Sequence, residues 1–165
     1  MQRYNIGDVV VYGSTGICDV VDIKHEEVGG TEYEYYVLTE HFSRGTSLTY
    51  VPVANERLVA NMRPLMAYSE AMRIIESIPD VEPIEWIPDN RRRADYFKSI
   101  LDSGDKPLMI GMIKAIILMG KERELIGKKN FMTDDNALVK AKRLLMSELA
   151  VATATPESEL EIDFN

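Results

Sequence analysis

Residues 17–42 read ICDVVDIKHEEVGGTEYEYYVLTEHF, and this stretch decides the first half of the fold. Two runs rich in β-branched and aromatic residues flank Gly29 and Gly30. That arrangement signals a β-hairpin, because glycine reaches the left-handed backbone of a tight turn without strain. In the second arm Tyr33, Tyr35 and Val37 fall on one side, and Glu34 and Tyr36 on the other, which is the two-residue period of a strand. The first arm alternates only in part. Upstream, DVVVYG (8–13) reads as another strand that ends at the turn GSTG (13–16). Downstream, SRGT (43–46) reads as a turn and SLTYVPV (47–53) as a further short strand. Pro52 has no N–H to give to a ladder and belongs at a strand edge or end. Four or five short strands joined by tight turns predict a small barrel or strongly bent sheet.

The rest of the chain carries a helical period. Ser69 is placed to cap a helix running to Ile78, with Met72 and Ile75 on one face, and PDVEP (79–83) breaks it. Asp89 caps a second helix that ends at Ser103-Gly104. Asp105 and Pro107 open a third, with Ile110, Ile113 and Ile117 in a stripe to about Leu125. Thr133 is placed to cap a last helix that lines up Leu138, Ala141, Leu145 and Leu149. The expected class is therefore α+β. A β domain spans 1–62 and an all-α domain 63–152. An acidic tail, 153–165, is expected to be flexible.

The 165 residues carry a net charge of −8, which taken as a sum argues against nucleic-acid binding. The charge is uneven, however. Residues 1–65 and the tail from Thr153 are each net −4, whereas Arg91 to Arg143 holds 13 bases against 7 acids. A basic region lies between acidic ends. The single cysteine, Cys18, permits no disulfide within the chain, and MQRYNIGD has no apolar leader. A cytoplasmic protein without a membrane segment is expected.

Little in the sequence points to catalysis. His25 and His41 do not neighbour Cys18 at metal-ligand spacing, so no metal is expected. A lone Cys in an apolar strand reads as a small core residue. No phosphate-binding glycine loop is present, and no cofactor is implied. Asp134 and Asp135 sit at a helix N-terminus, where the dipole accounts for them. An enzyme built on Cys18 and His25 has no orienting partner in the pattern, and a non-enzyme is expected.

One segment stands apart: EPIEWIPDNRRR (82–93). Trp86, the only tryptophan, lies between Pro83 and Pro88 and just ahead of Arg91, Arg92 and Arg93. Two readings are open. Trp86 is a packing anchor between the β part and the helices, as Trp often is at interfaces. Alternatively it is a wedge, an apolar ring inserted at a minor-groove base step while arginines at a helix N-terminus neutralise phosphates.

The order and spacing of several pieces carry a resemblance. They are IGDVVVYGSTGICDVVDI, YYVL, YVPV and MRPL, then W…RR…ILDSGD, KAIILMGKEREL and AKRLLMSELAVA. Together they resemble the CarD family of bacterial RNA-polymerase-binding transcription regulators, over nearly the whole chain to about Ala152. The β part also resembles the polymerase-interacting module of the transcription-repair coupling factor. The resemblance implies a bent β-barrel of Tudor type that docks on the RNA polymerase β subunit through an exposed strand edge. Matching positions are Glu26, Glu27 and Val28 on one strand and Tyr50 on another. It also implies that Trp86 matches the family's DNA-wedging tryptophan at the upstream edge of the transcription bubble. Some members carry Lys in the opening turn of the last helix, where this chain has Asp134 and Asp135. Charge and proximity instead nominate Arg91, Arg92, Arg93, Lys128 and Lys129 for phosphate contacts. The expected protein is a regulator that acts as a monomer, binds promoter DNA weakly by itself, and stabilises the open complex once tethered to polymerase.

Overall fold

Strand β1 (Val9–Tyr12) turns into β2 (Gly16–Val28), which returns as β3 (Thr31–Glu40). Gly29 and Gly30 make the β2–β3 turn at φ of 62° and 81°, and Val28 faces Thr31 across it. Strands β4 (Leu48–Pro52) and β5 (Met62–Pro64) complete one antiparallel sheet in the order β4-β3-β2-β1-β5. The computed structural model describes residues 3–43 and 47–165. The turn expected at SRGT falls largely on 44–46, outside the described residues.

The partial alternation of β2 has a structural cause. Val20 pairs with Leu38 and Asp22 with Val37, so Val21 is an extra residue bulged out of the ladder. The bulge flips the parity of the strand. Cys18 and Val20 face the core before it, and Ile23 packs against the core after it. A bulge also adds local twist, which bends a long strand. The core of this unit holds Tyr4, Val10, Cys18, Val20, Tyr36, Leu38, Val51, Val53, Val59 and Met62. Tyr4 donates its hydroxyl to the Met62 carbonyl at 3.1 Å and meets Tyr36 edge-on at 5.7 Å. A four-residue helix, α1 (Glu56–Val59), is an addition to what the sequence suggested. Asn55 caps it by accepting from the Leu58 N–H at 3.1 Å.

The chain divides at Leu65/Met66, slightly later than expected, and 66–165 form a second unit. Its helices are α2 (Tyr68–Ser77), α3 (Asn90–Ser103), α4 (Lys106–Leu125) and α5 (Met132–Thr153). α5 packs against α2, α3 and α4. Met109 to Ile116 of α4 are all buried, so α4 is the central helix rather than an amphipathic surface one. Asp89 and Asp105 cap α3 and α4 through side-chain bonds to Arg92 and Leu108 N–H groups, and Gly104 ends α3 at φ 69°. Ser69 and Thr133 are not caps. Both helices start one or two residues earlier, at Tyr68 and Met132, without a side-chain cap.

The tail departs most from expectation. It is acidic, yet Leu160, Ile162 and Phe164 alternate with its carboxylates, and Phe164 is buried in the helical core with Leu160 and Ile162 packed beside it. A short 3-10 turn, Glu157–Glu159, brings the chain back. Net charge hid an apolar period of two.

Candidate nucleic-acid and polymerase interfaces

Residues 81–89 form no helix or strand, yet their backbone is pinned along its length. The buried Lys114 ammonium donates to the carbonyls of Ile78 and Val81, the latter at 2.7 Å. Ile84 N–H donates to the Gly111 carbonyl on α4 at 3.1 Å. Gly111 is what lets the segment lie that close. A Cβ there would meet Ile84 Cγ2 at 2.9 Å and the Glu82 carbonyl oxygen at 3.0 Å. Arg93 then donates to the Ile87 carbonyl at 2.9 Å and the Pro88 carbonyl at 3.3 Å. Two prolines stiffen what remains.

Trp86 is half-buried on this segment. Its ring meets Phe97 edge-on at 6.1 Å, and the Arg93 guanidinium lies 4.4 Å from its centroid. Both partners belong to the helical unit. Edge-to-face and cation–π contacts of this kind are worth about 0.5–2 kcal/mol each.

Arg93 does not serve as a phosphate ligand, as the charge pattern had suggested. It is 1% exposed. Its Nε and Nη2 grip both oxygens of Asp134 at 2.9 and 2.8 Å, and Nη2 also donates to Asn90 Oδ1 at 2.8 Å. With the two carbonyls, every guanidinium N–H has an acceptor. Asp134, read from sequence as a dipole-stabilising carboxylate, is the buried partner of this pair. Arg91 and Arg92 are exposed at the start of α3. The triple-Arg run thus splits by helical geometry, with one member turned inward and two outward.

The α4–α5 connector runs alongside. Gly120 allows it to fold onto α4, since a Cβ there would lie 3.0 Å from Asn130 Nδ2. Arg123 Nε donates to the Lys129 carbonyl at 2.9 Å, and its guanidinium covers Phe131 at 4.5 Å. Arg93 lies 5.6 Å from the same Phe131 ring. Trp86, Arg93, Phe131 and Arg123 therefore form a chain of alternating rings and guanidinium groups. Lys128 and Lys129 are exposed on the connector at its end. Sequence reasoning nominated Trp86, Arg91, Arg92, Lys128 and Lys129 and did not single out Phe131, Arg123 or the two glycines. A glycine inside an otherwise apolar helix was the available signal for close backbone approach.

In the β unit, the register sorts the four expected polymerase-facing residues. Glu26 and Val28 share one sheet face with Tyr33 and Thr31 opposite them, and Tyr50 sits opposite Val37 on that face. Glu27 points to the other face, opposite Glu32. Lys24 links the group. It pairs with Glu26 at 2.7 Å and lies 5.6 Å over the Tyr50 ring. Tyr35 meets Tyr50 edge-on at 6.5 Å. Val28 is 61% and Tyr50 48% exposed, so this face presents apolar and aromatic surface to solvent.

β4 is an edge strand. Val53 N–H bonds to the Glu34 carbonyl, so by antiparallel alternation Thr49 and Val51 bond to β3 while Leu48 and Tyr50 turn their backbone groups outward. Pro52 falls in a non-bonded pair, where a missing N–H costs nothing. The outer edge of β4 is thus open to pairing with a strand of another protein.

Cys18 is buried, and burial, followed by the charges of Glu40 and Asp19, pushes its thiol up to about 11. Such a thiol is inert near neutrality. Among the described residues no group of three or more His, Cys, Asp or Glu side chains is placed to hold a metal ion, and no helix is long and apolar enough to cross a membrane.

Residues 4–66 match the family model for the CarD-like/TRCF RID domain. The match covers the whole five-stranded sheet and stops at the division between the two units. It agrees with the Tudor-like, α+β reading and makes the β unit an RNA-polymerase-interacting, protein-binding domain. The open edge of β4 and the aromatic face beside it are features of that unit, and residues 4–66 are similar to the CarD-like/TRCF RID domain.

Proposed function

We propose that this protein is a transcription regulator that docks on the RNA polymerase β subunit through its β unit and stabilises the promoter open complex with Trp86. The β4 edge supplies main-chain pairing, and Glu26, Val28 and Tyr50 supply side-chain contacts on the adjoining face. Glu27, on the opposite face, contributes less. Trp86 enters the minor groove at the upstream edge of the bubble, while Arg91, Arg92, Lys128 and Lys129 neutralise phosphates.

The observation that carries this reading is the mounting of Trp86. A large ring stands half-exposed on a segment pinned at five carbonyls (Ile78, Val81, Ile87, Pro88 and, from α4, Gly111), flanked by exposed cations. A ring fixed in advance loses little freedom on insertion. Favouring the opened step by about 1–2 kcal/mol shifts the closed–open balance about five- to thirty-fold. The net charge of −8 suits a protein that ignores free DNA and acts only at the high local concentration that tethering gives.

The contacts of Trp86 with Phe97 and Arg93 also favour a second reading, a polymerase-binding adaptor in which Trp86 is purely a packing anchor. Open-complex lifetime with RNA polymerase on a promoter fragment separates the two. Wild type is compared with Trp86→Ala after both are shown to fold and bind polymerase. The wedge requires that wild type lengthen the lifetime and the variant not. Equal lengthening by both makes Trp86 structural, and no lengthening by either leaves the adaptor.

A further inference from the structure

We propose that Arg93 and Asp134 are a positioning pair for Trp86. Arg93 leaves α3, Asp134 lies in the first turn of α5, and the two meet bidentately with side chains 1% and 3% exposed. A buried ion pair is poor value as a stabiliser, because the desolvation of two charges offsets much of their attraction. Its other bonds show what it does here. Nη1 holds the carbonyls of Ile87 and Pro88, the two residues that follow Trp86, and the guanidinium plane lies 4.4 Å from the indole centroid. The same group lies 5.6 Å from Phe131, the residue just ahead of α5. One side chain therefore fixes the backbone after Trp86, touches its ring, and ties both to the start of α5. Lysine has a point charge and three donors and cannot reproduce this planar fork. Asp134 fixes the orientation of the fork. Neither residue need touch DNA, and both are too buried to do so.

The geometric part stands by itself; the consequence at a promoter rests on the wedge reading of Trp86. Because Trp86 is the only tryptophan, its fluorescence reports the mount directly. Time-resolved anisotropy of the wild-type chain is expected to decay with overall tumbling alone. A dominant sub-nanosecond component would show a loose ring and overturn the proposal. The variant that removes the mount while keeping the fold is Arg93→Met with Asp134→Leu, since apolar replacement of both members of a buried pair is commonly tolerated. It is expected to fold, to bind polymerase as wild type does, to gain the fast anisotropy component, and to shorten the open-complex lifetime about two- to ten-fold, the factor for re-ordering one side chain on binding. Unchanged anisotropy and lifetime in a folded double variant would refute positioning while leaving the wedge intact. If Trp86→Ala keeps the full lifetime effect, the wedge fails, and ring mobility in the double variant still decides whether the pair is a mount. If the double variant does not fold, the wild-type anisotropy decides.

Discussion

Phe164→Ala tests whether residues 156–165 belong to the fold of the helical unit. Phe164 is 7% exposed in that unit's core, with Leu160 and Ile162 beside it. Lys142 Nζ lies 5.9 Å from its ring centroid, and Lys121 donates to Asn165 Oδ1 at 2.7 Å. Truncating a Phe fixed in a core costs about 3–5 kcal/mol. Here the segment can instead leave. Ordering its ten residues costs on the order of 10 kcal/mol or more of backbone entropy, so three apolar anchors hold it with only a small surplus. The loss on mutation is capped by that surplus, and about 1–3 kcal/mol is expected rather than 5. Urea unfolding followed by Trp86 fluorescence reads the helical unit alone. Glu-specific proteolysis at Glu157, Glu159 and Glu161 should accelerate in step, because the undocked segment becomes extended. A change under about 0.5 kcal/mol with an unchanged cleavage rate would show that Phe164 does not hold the tail, and the argument from its burial would be wrong.

Asp134→Ala leaves the Arg93 guanidinium buried without its counter-charge and should destabilise the helical unit by about 3–5 kcal/mol in the same urea assay, whereas Arg93→Met/Asp134→Leu should stay near wild type. Cys18 gives a pH signature. Its thiol stays protonated to about 11 when folded, against 9.0 as a free group, so from about pH 9 to 11 only the unfolded chain releases this proton. Stability of the β unit should therefore fall across that window, and thermal melts of Cys18→Ala should show a shallower fall; at pH 8 the native thiol should resist alkylation until the chain is unfolded. Arg91→Ala and Lys128→Ala should each flatten the log–log salt dependence of promoter-complex stability by about one, with no effect on polymerase binding measured without DNA.

Much of the β unit was legible because strand and turn chemistry are local. Gly29-Gly30 set the hairpin, and Pro52 marked an edge. The bulge at Val21 was not legible, since only pairing with β3 reveals which residue is extra. Among the helices, Asp89, Gly104 and Asp105 announced their boundaries by the bonds they make to nearby backbone. Ser69 and Thr133 looked like caps too, but their helices begin earlier. The tail misled because charge was counted and the spacing of Leu160, Ile162 and Phe164 was not.

The site divides in the same way. The sequence singles out a lone tryptophan framed by prolines and followed by arginines, and residues 4–66 carry the likeness to the CarD-like/TRCF RID domain. Which arginine turns inward is not. Arg91, Arg92 and Arg93 are equal in composition, and only the rotation of α3 and the arrival of α5 with Asp134 bury the third. Gly111 and Gly120 read as weak helix residues until two loops are seen lying on them. Local hydrogen bonding and the two-residue and helical periods are encoded one neighbour at a time. The buried charge pair joins residues 41 apart in the chain, and only packing brings those together.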